Sequence, residues 1–301
     1  MNGLFVGLTT LDFLYLVDHF PDRNQKIVAR DSAIAAGGPA TNAAITFGYL
    51  GNQVKLLSVV GNHALSQVIR QDLANQSIHS IDLEPTWNES PSVSSVVVTQ
   101  QTGERAVISL NATKFQAKLE KIPPDILADI DIVLIDGHQM AISEAIACQA
   151  QTKHIPIVMD GGSWKTGFEK VLPFVDYVIC SANFYPPNCQ NQTDIFEYLK
   201  SYSIPQIAIT QGDKPIQYVG QNYSGEITID PTNAVDTLGA GDIFHGAFCH
   251  FIVNHLKNSA QPILEDDFRE ALIFSAKIAS QSCQSFGTRS WMKKNFQDKL
   301  M

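Results

Sequence analysis

"DTLGAGDIFHGAF", Asp236 to Phe248, places two glycines and an aspartate where an amphipathic helix begins. Apolar residues at Ile243, Phe244, Ala247, Phe248, Phe251 and Ile252 follow helical spacing. Gly239, Ala240 and Gly241 therefore mark that helix's N-terminus. The first N–H groups of a helix lack internal partners, and the macrodipole puts about +0.5 charge there. With no side chains at 239 and 241, an anion can approach the bare backbone closely. Asp242 in the same turn would repel that anion unless it had chemical work to do. Accepting a proton from a hydroxyl about to attack phosphorus is work that fits. Taken alone, a glycine turn with a favourable acidic residue at a helix start is the better explanation of the stretch.

A second glycine turn precedes another helix. In "AAGGPATNAAITFGYLGNQ", Gly37, Gly38 and Pro39 turn the chain, and Ala43, Ala44, Phe47 and Leu50 fall on one helical side. Asn42 near that helix start could cap it or bind hydroxyls. Asp12 follows the apolar run "LFVGLTT" and is expected at the C-terminal end of a strand.

The second half of the chain repeats short apolar runs: "IDIVLID" from Ile130, "IPIVMD" from Ile155, "VDYVIC" from Val175 and "QIAIT" from Gln206. Each is too short for a helix, and continuous apolarity predicts strands covered on both faces of a largely parallel sheet. "SEAIACQAQ" and "DIFEYLKSY" between them carry helical spacing. The pattern predicts a doubly wound α/β fold, with ligands gathering beyond the C-terminal strand ends. Ser92 to Ala112 instead alternates apolar and polar residues around "QQTGE", which reads as a hairpin. With the strand character of "DRNQKIVARDSAIAAGG", it predicts a small projecting sheet. That sheet could be a lid, a dimer interface or both.

Bulk composition narrows the function classes. The 301 residues suit one large α/β domain, and 45% hydrophobic with 17% charged residues are ordinary globular proportions. A net charge of −9 argues against nucleic acid or an anionic membrane surface as partner. Five scattered cysteines without a Cys-x-x-Cys pair fit free thiols. The N-terminal "MNGLFVGLTTLDFLYLVDHF" is interrupted by Asp12 and Asp18 and reads as a buried strand; no run approaches the roughly 18 apolar residues of a membrane span. The expected location is cytoplasmic.

Together, "GLTTLDFLYLVDHFP", "GGPATNAA", "TGERAVI", "DGHQ", "MDGGSW", "TQGD", "DTLGAGDIFHGAF" and "FSAKIASQSCQSFG" resemble the ribokinase-like, or phosphofructokinase-B type, carbohydrate kinases. The "DGGSW" segment and the tail are most similar to the ketohexokinase-like branch. The resemblance implies one ribokinase-like domain over residues 1–301, with a lid from about 13–35 and 88–112. It implies ATP and Mg²⁺ as cofactors, with K⁺ as a candidate activator, and a small sugar as substrate. Asp242 would be the catalytic base, with Gly239, Ala240 and Gly241 as anion hole. Asp12, Gly38 and Asn42 match sugar-binding positions, and Arg105 on the hairpin could reach substrate or phosphate. Thr210 and Gly212 match the nucleotide-site segment. Asp236 and Thr237 lie where a monovalent cation or phosphates are approached.

One departure concerns magnesium. Relatives carry Asn-x-x-Glu after the strand at "VIC"; here Asn183 is kept but Pro186 replaces the acid. Other chemistries find less support. No Gly-Lys pair supplies a Walker loop, and no Gly-x-Gly-x-x-Gly follows the first strand. His245, His250 and His255, five apart, rotate off a common helix face, and no His-Glu-x-x-His occurs. Two readings of different class remain, an active ATP:sugar phosphotransferase and a non-catalytic sugar- or nucleotide-binding relative, with a nucleoside or vitamin-type kinase as runner-up among kinases.

Overall fold

The computed structural model describes residues 1–110, 115–259 and 263–293. In chain order the elements are β1 (Asn2–Val6), β2 (Thr10–Val17), β3 (Asp31–Gly37), α1 (Pro39–Tyr49), β4 (Gln53–Ser58), α2 (Ala64–Asn75) and β5 (His79–Asp82). There follow β6 (Ser92–Thr99), β7 (Arg105–Ser109), β8 (Ile132–Ile135), α3 (Met140–Thr152), β9 (Ile157–Gly161), α4 (Phe168–Val171) and β10 (Tyr177–Ser181). The chain continues through α5 (Gln192–Lys200), β11 (Gln206–Gln211), β12 (Lys214–Val219), β13 (Ser224–Ile227), α6 (Ala240–Asn258) and α7 (Glu265–Ser282).

Among the described residues the main sheet has nine strands, ordered β13-β12-β11-β10-β9-β8-β1-β4-β5. From β11 to β5 all neighbours are parallel; β12 and β13 close one edge antiparallel. The alternation within each strand explains the continuous apolarity of the sequence. Phe5, Leu134, Val158 and Ile179 pack with α1, α6 and α7 through Phe47, Phe248 and Phe268. Leu4, Val6, Ile135, Met159 and Cys180 face the other way, against Ile142, Ile146, Phe168 and Leu199 of α3 to α5. Both faces are covered, so neither tolerates polar residues.

A second sheet has four strands in the order β3-β2-β6-β7. β2 and β6 run parallel, while β3 and β7 pair antiparallel on either side. Pairing register sorts its faces. Asp12, Leu14 and Leu16 lie opposite Ser94, Val96 and Val98, which in turn oppose Ser109, Val107 and Arg105. Leu14, Val96 and Val98 are buried and pack on Leu238 and Phe286 of the main body, so this is the inner face. Ile34, Phe13, Ser95 and Ile108 make a row on the outer face, where Ile34 and Ile108 are exposed.

Three expectations need correction. The N-terminal stretch is two strands, not one; β1 ends at Val6, and Gly7 to Thr9 carry the chain into the other sheet. Asp12 is consequently the third residue of β2, on the small sheet, instead of at the tip of a main-sheet strand. Lys26 to Arg30 lie outside β3, which begins at Asp31. Residues 111 and 112 of the expected lid fall outside the described residues. The five cysteines form no disulfide, and no helix among the described residues is long and apolar enough to cross a membrane.

The contact that positions the candidate residues Asn42 and Asp242 is the crossing of α1 and α6. A Cβ on Gly246 would stand 2.3 Å from the Ala43 carbonyl oxygen and 2.7 Å from the Thr46 Cβ. Small residues Ala43, Ala44, Gly246 and Ala247, all fully buried or nearly so, let the two backbones touch. Gly246→Val should therefore cost about 1–3 kcal/mol of stability by overpacking. Urea unfolding measures this; a stability equal to that of the parent would mean the helices have room to spare.

Candidate active site

α6 starts at Gly239, which adopts the left-handed conformation (φ 71°, ψ 5°) as N-cap, and no side chain caps this end. A Cβ at 239 would meet Thr288, Asn42 and Asp242 at 3.1, 3.4 and 3.6 Å; at Gly241 it would meet nothing within 4 Å. Gly239 is thus held by both its dihedral and its neighbours, whereas Gly241 faces open space. Gly241 is exposed and Asp242 half-buried, so the turn opens to the outside.

Because α1 and α6 cross closely one turn further on, Asn42 reaches Asp242. Its Nδ2 donates to Asp242 Oδ2 at 2.8 Å. Burial raises the Asp242 carboxyl to about 7, and the nearby Asp160 adds to the rise; Asn42 and His245 oppose it, and Asp136 reinforces it. Asp160, at the end of β9, accepts from the Gly162 amide at 2.9 Å and lies 3.7 Å from His245 Nδ1. His245 turns Nδ1 to the Gly241 carbonyl at 2.7 Å and Nε2 to the Ile179 carbonyl at 3.1 Å. It is a core residue, as its helical position implies.

Asp136, beyond β8, has the opposite character. Burial alone would raise its carboxyl, but His138, Lys165 and the Leu8 amide outweigh burial and hold it at about 2. Its Oδ2 accepts from the amides of Leu8 (2.9 Å) and Ala40 (3.1 Å), and Oδ1 from that of His138 (2.9 Å). This carboxylate ties the exit of β1 to the start of α1 and fixes the turn at Gly38, the N-cap of α1.

Asp12 is buried on the inner face of the small sheet. Its carboxyl is raised by burial, against hydrogen bonds from Thr10 and Ser94 and the charge of Arg289; Thr10 Oγ1 donates to Oδ1 at 2.7 Å. A Cβ at Gly37 would overlap Asp12 Oδ2, so that glycine makes the space the carboxyl occupies. At the far corner of the same inner face, Arg105 Nη1 donates to Thr237 Oγ1 at 2.9 Å. The hairpin thereby touches the loop leading into α6.

The remaining expected residues are spread along the same rim. Asp236 is buried, and its oxygens accept from the amides of Leu238 (2.8 Å) and Gly287 (2.9 Å), which bind two loops together. Thr210 Oγ1 donates to the Cys180 carbonyl at 3.2 Å. Gly212 turns β11 into β12 with φ 69°. Asn183 is exposed beyond β10. None of these four contacts Asp242 directly. A cavity of about 220 Å³ lies nearby, between Ile227, Ile229 and Asp230 and the α7 residues Ile273, Ala276 and Lys277. A larger one, about 580 Å³, lies at the opposite end of the sheet beside Met1, Asp131 and Lys153, away from these side chains.

The sequence reading missed Arg289, which donates to Asn42 Oδ1 at 3.1 Å. It gave no role to Asp160 or Asp136, although both stand in quoted segments. Ends of successive buried strands could have flagged the two aspartates; nothing around "FGTRSW" marked Arg289.

Comparison with known proteins bears on the fold and the family. The ribokinase of Bacillus subtilis is 22% identical, over 97% of this chain and 96% of its own. The structure of ribokinase from Giardia lamblia superimposes with a TM-score of 0.81 at 19% identity, covering 97% and 95% of the two chains. Arabidopsis thaliana ribokinase, solved with ribose and ATP, gives 0.71 at 18% identity, covering 97% and 98%. The profile of the pfkB family carbohydrate kinases matches residues 3–295, so the chain belongs to that family.

Proposed function

We propose that this protein is an ATP-dependent kinase that transfers the γ-phosphoryl group to a hydroxyl of a small sugar, with Asp242 as general base. The observation that carries this reading is Asp242 itself. Its carboxyl stands in the first turn of α6, beside the uncapped N-terminus, and is raised to about 7. A base serves best when its ionisation lies near the working pH. Asp242 takes the proton of the sugar hydroxyl as that oxygen bonds to the γ-phosphorus and the bond to the ADP oxygen breaks. The amides of Gly239, Ala240 and Gly241 stabilise the charge on the transferred group.

Asp12 and Asn42 are assigned to sugar hydroxyls, with Gly38 leaving room beside them. Asp12, Asp242, Asp160 and Asp136 crowd one region, which favours a neutral polyol over a sugar phosphate. The slot between Ile229 and Ala276 is assigned to the nucleotide base, with Thr210, Gly212 and Thr237 along its approach. Among the described residues no cluster of His, Cys, Asp or Glu could cage a metal. Mg²⁺ would need no such cage if it arrived on the triphosphate and kept its waters; exposed Asn183 would be the residue to meet it, and Mg²⁺ would supply charge neutralisation there. K⁺ beside Asp236 would have to use backbone carbonyls, since that carboxylate is taken. Pro186 in place of the usual acid favours one second reading, a non-catalytic binder. ADP release from a panel of ribose, deoxyribose, fructose, other ketoses and nucleosides with ATP and Mg²⁺ decides between them. It also tests a ketohexokinase-like preference, which rests on "DGGSW" and the tail.

The small sheet acts as a lid that excludes water, which would otherwise accept the phosphoryl group. Its apolar outer row is assigned to a homodimer contact.

Asp242→Asn should lose about 10²–10⁴ or more in kcat with sugar binding retained. The same variant should melt higher than the parent at pH 8, with the gap closing toward pH 5. The folded carboxyl is raised, so its favourable contribution is present at low pH and disappears as pH rises through about 7. Near-parental turnover, or a gap that widens in acid, speaks against the assignment. Arg105→Ala should raise a Michaelis constant about 2–10-fold, the worth of one hydrogen bond; unchanged kinetics would leave Arg105 without a part in closure. Light scattering should find a dimer that Ile108→Asp converts to a monomer, and a parent already monomeric removes the contact.

A further inference from the structure

We propose that Arg289 is a positioning residue that acts on Asp242 through Asn42, by fixing which way round the Asn42 amide sits. Three contacts make the chain. Arg289 Nη1 donates to Asn42 Oδ1 at 3.1 Å, and Asn42 Nδ2 donates to Asp242 Oδ2 at 2.8 Å. Arg289 Nη1 also donates to Thr288 Oγ1 at 2.9 Å, which holds the guanidinium in register.

An amide has one acceptor end and one donor end. In the observed orientation the acceptor meets a cation and the donor meets a carboxylate. Turned by 180°, the NH₂ would face the guanidinium and the carbonyl would face Asp242, so both contacts would become repulsive. Without Arg289, only Asp242 would bias the amide. A bound sugar hydroxyl could then draw Asn42 away from the carboxylate.

The guanidinium is anchored on every side. Nη2 donates to the Ala36 carbonyl at the end of β3 and lies 3.7 Å from Asp72 Oδ2 on α2. Asp72 itself accepts from the Ala36 amide at 2.8 Å. Fully buried Trp291 pins the segment behind it, packing edge-on to Tyr49 at 5.0 Å and donating from Nε1 to the Thr288 carbonyl at 3.1 Å. Arg289 Nε is buried without an acceptor, and the other two nitrogens are engaged. The two nitrogens that reach Asn42 and Ala36 are thus already committed within the protein, which is why its part is to position.

The consequence concerns the charge on Asp242, and this step rests on its reading as the base. The groups facing it are Asp160 from the end of β9, Asp136 from beyond β8, His245 one turn along α6 and Asn42 from α1. Arg289 lies behind Asn42 and itself feels the charges of Asp72, Asp12 and Asp242, so a direct through-space effect on Asp242 is the alternative that the relay must be told apart from. Of the neighbours that favour the ionised form, Asn42 is the one that donates directly to the carboxylate. Loosening its amide should move Asp242 ionisation further up.

The test is a ¹³C-carboxyl titration of the full chain, labelled at aspartate Cγ, with the Asp242 signal identified by its loss in Asp242→Asn. Arg289→Gln should raise the Asp242 midpoint by about half a unit or more, roughly a threefold gain in proton affinity. Introduced into Asn42→Ala, the same change should add much less, because the relay is already cut. Arg289→Lys keeps the charge but not the fork, so it should show part of the rise; it also serves if the glutamine variant does not fold. Equal displacement with and without Asn42 would mean the guanidinium acts through space, and no displacement in a folded variant would mean it does not act at all; either overturns the relay. The titration needs no turnover, so an inactive protein leaves this test standing while the kinase reading falls. If the protein is active, the acid limb of kcat/KM should move in the same direction in Arg289→Gln.

Discussion

The closeness of two backbones underlies everything at the candidate site. Gly246 has no side chain, and the carbonyl of Ala43 occupies the space where one would be. Asp242 stands one turn N-terminal to Gly246 on α6, and Asn42 immediately precedes Ala43 on α1. A wider crossing would separate them and leave the Asp242 carboxyl without its amide donor. Small residues in the core thus set a distance between two polar groups, a case in which packing geometry determines electrostatics.

The two aspartates at this end of the sheet show how environment divides the same side chain into two states. Asp136 is the more deeply enclosed, yet His138 and Lys165 beside it, with the Leu8 amide, hold it charged. Asp242 has a single amide donor and a second carboxylate nearby, so burial prevails. One is a structural clasp that keeps its charge at any physiological pH. The other is poised between protonated and free, at a cost in stability that a residue without chemical work would have no reason to carry.

Much of this was legible because the signals were local. Strands covered on both faces must be apolar throughout, so β8, β9, β10 and β11 announced themselves as short Val- and Ile-rich runs. Gly-Ala-Gly-Asp ahead of a helical repeat located the anion-ready turn and the carboxyl together. The passage from β1 to β2 was not legible, because Gly7-Leu8-Thr9 moves the chain between sheets with no break in apolarity. Arg289 was silent for a different reason: it meets Asn42 across 247 residues, and only the folding-back of the C-terminal segment under Trp291 brings the two together. Asp160 and Asp136 fell between these cases, visible as acids after strands but with no local mark of what they would face.

The clasp at Asp136 also determines how the small sheet can move. Both chain crossings that flank β2 and β3, at Leu8 on the way out and Ala40 on the way back, are moored to the same carboxylate oxygen. If the sheet closes as proposed above, its swing would turn like a door about a hinge-post at Asp136, with its free edge at the β6–β7 hairpin. Asp12 would ride on that leaf while Asn42 and Asp242 stay with the frame. The space between them would then widen and narrow as a jaw does, with the Arg105–Thr237 contact as its latch at the tip.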